Sequence, residues 1–158
     1  MHRRSVGWKS SSQHNHDVGD PGHVRGALAR TALLLLAAEA LYQGIWAQFA
    51  PRSFYENFPG GMGWVAAEGS FNEHLVRDIG GLATALGVVT ICAAWTLSRP
   101  LLIANAIGWF AYGLPHLAFH LVHPLEGATM QTLNVIVLSS EILLPAVGLL
   151  GAARRNDP

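Results

Sequence analysis

The sequence predicts an all-α integral membrane protein, an antiparallel four-helix bundle, and three observations carry that reading. Hydrophobic residues make up 51% of the 158 and charged residues 13%, with a positive mean hydropathy, a balance too apolar for an ordinary soluble domain. The apolar residues fall into four runs, each near the length that crosses a hydrocarbon core. Two of the connections, Arg99-Pro100 and His123-Pro124-Leu125-Glu126-Gly127, are short and built from turn formers, which sets consecutive helices antiparallel.

Residues 1–26 are polar and lack the periodicity needed to bury a face, so they are expected as a disordered cytoplasmic tail. Within it His14-Asn15-His16-Asp17 could hold a metal only loosely, since an unstructured tract has no fixed geometry or supporting shell. The first span, 27–49, carries one carboxylate, Glu39, and at about 1.5 Å per residue reaches about 35 Å. Its length, and the long polar stretch before it, favour retention over cleavage as a signal peptide. Between 50 and 70, turn formers alternate with aromatics; Arg52 to Phe58 suits a short surface helix with its rings turned inward, closed by Pro59 and glycines.

The second span, 71–98, places Gly80, Thr84 and Gly87 at i, i+4, i+7, with Gly81 and Ala85 repeating the spacing, a pattern that lets backbones approach closely in lipid. The third, 101–123, contains Pro115, which removes the usual donor to the Ala111 carbonyl and favours a kink beside Gly113. The fourth, 128–153, is closed by Arg154 and Arg155, and 154–158 form a second cytoplasmic tail. Thr129, Gln131, Thr132 and Asn134 at its start are expected to face the interior. Eight of the ten Lys and Arg residues fall on the side of the termini, leaving Arg52 and Arg77 opposite, so both termini are expected in the cytoplasm and the protein in the cell membrane.

That topology puts the start of span two, the end of span three and the start of span four in the outer leaflet. Ionisable residues inside a membrane are costly and mark functional sites. Glu73, His74, Arg77 and Asp78 cluster on span two, and His116, His120 and His123 form one stripe on span three. Two helices that each present an i, i+4 pair offer the geometry of an interhelical metal site, which selects His74, Asp78, His116 and His120 as ligands. Glu73, Arg77, His123, Gln131 and Asn134 support them, and Glu39 and Glu141 are expected as buried neutral acids lying deeper. Imidazole with carboxylate suits a divalent transition metal such as zinc, iron, copper or nickel, ahead of a haem or a quinone. The competing reading is a polar clamp centred on Arg77 that ties helices together.

Several classes are set aside. A net charge of zero offers no basic surface for nucleic acid. The single cysteine, Cys92, excludes an internal disulfide. No nucleophile motif, phosphate loop or dinucleotide fingerprint appears. The expected partners are the lipid bilayer and either a small ligand or further copies of the chain; the enzymatic alternative is an oxidoreductase using a metal, haem or quinone, with His74 or His116 as base.

At Ser53-Phe54-Tyr55 to Phe58-Pro59-Gly60, at Asn72-Glu73-His74-Leu75-Val76-Arg77-Asp78-Ile79-Gly80 and at His116, His120 and His123 behind Pro115, the chain resembles a group of small, uncharacterised four-span membrane proteins of actinobacteria. That match covers roughly 31–153; the chain is also distantly similar in layout to DoxX-like membrane proteins, some of them linked to quinone-coupled oxidation. The resemblance implies a four-span fold and a shared polar cluster, and no particular activity.

Overall fold

The computed structural model describes residues 21–152, which form six helices and no strand: α1 (Pro21–Phe49), α2 (Pro51–Asn57), α3 (Trp64–Ala67), α4 (Glu73–Thr96), α5 (Arg99–Val122) and α6 (Ala128–Ala152). The expected metal tract His14 to Asp17, the rest of the tail up to residue 20, and Arg154 and Arg155 lie outside the described residues. Helices α4, α5 and α6 are each long and apolar enough to cross a membrane. By length α1 also suffices, at 29 residues, but Arg30, Glu39, Gln43 and Gln48 dilute its apolar character.

The four long helices close a ring, with α4 and α6 against α1 and α5 against α4 and α6. Every neighbouring pair is antiparallel. Along α1 and α4 the contacts run from Arg30 beside Ala94 to Gln48 beside Arg77; along α5 and α6, Gly113 lies beside Glu141 and His120 beside Gln131. Outside this ring, Leu34, Leu82, Trp95, Ile107, Leu143 and Leu150 are exposed, far more apolar surface than an ordinary soluble monomer presents.

Small residues make the α1–α4 contact. A Cβ built on Gly80 would lie 2.5 Å from the Gln48 nitrogen and 2.8 Å from the Gly44 carbonyl oxygen, while one on Gly44 would lie 2.6 Å from the Thr84 nitrogen. The two backbones therefore touch, as the spacing of Gly80, Thr84 and Gly87 predicts. Gly81 and Ala85, the second run of that spacing, are exposed and take no part. One turn away from the seam, Trp109 Nε1 donates to Thr90 Oγ1 at 2.8 Å, and Thr90 Oγ1 lies 2.8 Å from Asn105 Oδ1. All three side chains are buried, so this network is what fastens α4 to α5.

Two local expectations change. The turn between α4 and α5 is Leu97-Ser98, because Leu97 adopts the left-handed conformation (φ 48°) and its N–H donates to Ala93, ending α4 there. Arg99 accordingly opens α5, with Pro100 in the first turn, where a proline is tolerated; as expected, Pro115 lies inside the helix. On α6, Thr129 and Thr132 are exposed, and the Thr132 hydroxyl turns back to the Ala128 carbonyl at 2.7 Å; Gln131 and Asn134 are the inward pair. The surface helix expected after span one is α2, with Phe54 buried, and Trp64 on α3 joins it through the Phe58 ring.

Candidate binding pocket

At the end of the ring where α1 and α5 finish, α4 and α5 separate and leave a cavity of about 560 Å³. Helices α2 and α3 cover it. Their placement follows from their aromatic residues: Phe54 stacks against Phe58 with ring centroids 4.6 Å apart and meets Trp46 of α1 edge-on. Trp64 Nε1 donates to Met130 Sδ on α6 at 3.0 Å, and the Tyr55 hydroxyl donates to the Gly69 carbonyl at 2.6 Å. The upper wall is therefore apolar and aromatic.

The floor is polar. Tyr112, His116 and His120 form an i, i+4, i+8 stripe on α5, with ring centroids 5.1 Å apart at each step. Asn134, Val137, Leu138 and Glu141 face them from α6, and all of these residues line the cavity. His116 Nδ1 stands 3.6 Å from Glu141 Oε2, and His120 Nδ1 stands 3.7 Å from Glu68 Oε1, beside α3. Both separations exceed a normal hydrogen bond. His116 Nδ1, His120 Nδ1, Asn134 Nδ2 and Glu141 Oε2 are buried and have no hydrogen-bond partner among the described residues. Glu141 is 1% exposed, Asn134 4% and His120 9%. Buried polar groups are rarely left this way, and four on one cavity ask for an explanation.

The metal set read from the sequence is not brought together. His74 and Asp78 pair with each other at 3.3 Å on the outer surface of α4, with side chains 88% and 55% exposed, whereas His116 and His120 face the cavity. Leu75, Val76 and Ile79 are the α4 residues that line it. Residues 74 and 78 sit one position before Leu75 and Ile79, and one residue turns the side chain by about 100°. Among the described residues no group of three or more His, Cys, Asp and Glu side chains is arranged to hold a metal ion.

The supporting residues separate into two devices. Arg77 bonds Glu73 Oε1 at 2.9 Å and donates to the Gln48 carbonyl, tying the start of α4 to the end of α1. Gln131 Nε2 donates to the His120 carbonyl and Gln131 Oε1 accepts from the Leu125 N–H, each at 2.9 Å, fastening α6 to the turn after α5. Exposed His123 stacks on Phe119, centroids 4.4 Å apart, away from the cavity floor. These contacts are the clamp, and they lie beside the cavity. Glu39 is half-buried and accepts a hydrogen bond from Ser140 Oγ at 2.8 Å, behind the floor. Glu141, expected deeper and apart, belongs to the floor itself.

Two ionisable cavity residues escaped the sequence reading. Tyr112 has a signal, since it precedes His116 by four on the same helical stripe. Glu68 has none, because it reaches His120 only through the fold of the loop that carries α2 and α3. The chain matches no protein-family model, no curated protein and no solved structure, so its function has to be argued from the chemistry of this cavity.

Proposed function

We propose that the chain is a four-span protein of the cell membrane, with both termini cytoplasmic, that binds a small molecule in the outer-leaflet pocket. The molecule's polar head meets His116, His120, Asn134 and Glu141, and its apolar part lies against the aromatic wall. One observation carries this: of the six buried side-chain polar atoms that lack a hydrogen-bond partner among the described residues, four belong to residues that line a single cavity. A structural clamp uses its polar groups on one another, as Arg77 and Gln131 do here. A ligand site holds them in reserve.

The fourth span is α1, whose register against α4 runs over most of its length and whose 29 residues reach about 43 Å. Cysteine labelling from outside, on a variant lacking Cys92, should modify positions 70 and 127 and spare position 98. Modification of 98 alone would put the pocket in the other leaflet.

The binding reading has an opposite stability signature to a clamp. Replacing an unpartnered buried polar group by an apolar group of similar shape removes a desolvation cost and loses no hydrogen bond. Asn134→Leu and His120→Phe should therefore each raise the unfolding free energy of ligand-free protein in detergent, by about 1 kcal/mol. A loss of that size in both variants would favour the clamp.

A further inference from the structure

The charge balance of the pocket narrows the class of molecule it holds. Two carboxylates line the cavity, Glu141 at the floor and Glu68 at the mouth, and among the described residues no Lys or Arg lines it. The guanidinium groups nearest in sequence to its walls are committed elsewhere: Arg77 to Glu73 and the Gln48 carbonyl, Arg52 to Glu56 and the face of Phe71. Among the lining residues, His116 and His120 alone could carry positive charge. Their rings are 5.1 Å apart, so charging both would set two like charges side by side in a low-dielectric layer. Neither imidazole hydrogen-bonds the carboxylate it faces.

Glu141 is thus a buried carboxyl whose one ion-pair partner among the described residues is the His116 imidazole, at 3.6 Å and not hydrogen-bonded to it, and burying a carboxylate without a firm counter-charge is unfavourable. Glu141 and His116 both line the cavity. Phe58, Trp64 and Tyr112 border the same space, and aromatic faces attract cations, most strongly where water is excluded. An anionic ligand would meet two carboxylates with no basic residue to offset them. A purely apolar one would meet the two carboxylates with no charge to set against them.

Resting on the ligand-pocket reading above, we infer that the pocket takes a small amphiphilic organic cation, a quaternary or protonated amine, its charged head between Glu141 and Glu68 and its apolar body against the aromatic wall. The cation supplies Glu141 with a permanent counter-charge, where the described chain offers it only the His116 imidazole at 3.6 Å, and aromatic side chains line the same cavity. Asn134 and the histidines orient polar substituents beside that head. Discrimination against anions follows without any further element, because both carboxylates oppose them.

Three probes of nearly one shape separate the possibilities: benzyltrimethylammonium, its uncharged isostere neopentylbenzene, and the anion benzylsulfonate. Saturable binding of each is measured by calorimetry to the full chain in phosphatidylcholine nanodiscs, with empty nanodiscs subtracted. The cation should bind at least about tenfold more tightly than the neutral isostere, and the anion should not saturate. Glu141→Gln should weaken cation binding about tenfold and leave neopentylbenzene unchanged. Glu68→Gln, at an exposed position that does not threaten folding, should weaken the cation by a smaller factor. Saturable binding of neopentylbenzene at least as tight as the cation's, or a cation affinity indifferent to both Glu variants, overturns the cation assignment and leaves the pocket reading standing. Failure of all three probes to saturate overturns both.

Discussion

Gly80→Leu should cost the protein about 3 kcal/mol or more of stability, enough to lose most folded material in detergent. The expectation rests on the α1–α4 seam. A Cβ at this position would lie 2.5 Å from a backbone nitrogen of Gln48 and 2.8 Å from the Gly44 carbonyl oxygen. No rotamer change relieves contacts of that kind, so the helices must part along their whole shared length. If both helices span a bilayer, as proposed, they have no hydrophobic drive to come back together, since lipid solvates apolar surface as well as a neighbouring helix does. The neighbouring glycine is the control. At Gly81 the closest atom to a new Cβ is the flexible Gln48 Oε1 at 3.4 Å, so Gly81→Ala should be neutral or stabilise by up to about 1 kcal/mol through helix propensity. Unfolding in mixed micelles with increasing dodecyl sulfate reads both. Equal losses at the two positions would mean that the α1–α4 contact is not made at this register.

Thr90→Val is expected to be the most damaging change that keeps side-chain volume. The hydroxyl accepts from Trp109 Nε1 and meets Asn105 Oδ1, both at 2.8 Å, and Thr90 is fully buried. Valine fills the same space and leaves the indole N–H and the amide without partners, a cost of about 2 kcal/mol if each orphaned group contributes about 1. Thr132→Val is the matched control: its hydroxyl bonds only to its own helix on an exposed face, and it should change stability by less than about 0.5 kcal/mol. If Thr90→Val behaved like Thr132→Val in the same titration, α4 and α5 would have to be held by something other than this network.

These two changes act at different places in the ring. The seam sets how near α4 lies to α1, and the network sets where α4 leaves α5. Beyond the level of Leu86 and Gly108, where a Cβ added to the glycine would meet the leucine side chain at 3.5 Å, α4 stays with α1 while α5 stays with α6, and the space between them is the pocket. Close packing on one side and divergence on the other are two results of one small-residue stripe.

The sequence by itself determined the helical class, the four long helices and most of their limits, because hydrophobic run length and turn chemistry are local properties of the chain. It also identified the α1-facing stripe on α4, the pairs Glu73–Arg77 and His74–Asp78, and the histidine stripe on α5, since all follow from spacing along one helix. Which stripes face one another was decided only by the tertiary structure. Depth matching placed His74 and Asp78 level with the histidines, but depth says nothing about rotation. The glycines of α4 turn its small face to α1, and that rotation carries His74 and Asp78 outward and Leu75 and Ile79 toward the cavity. Glu141 reached the pocket floor through the register of α6 against α5, fixed by Gly113 and Gln131, and Glu68 reached the mouth through the aromatic packing of α2 and α3. Helical spacing fixes an angle within one helix, whereas the angle between helices depends on which surfaces can approach closest, and only the folded chain settles that.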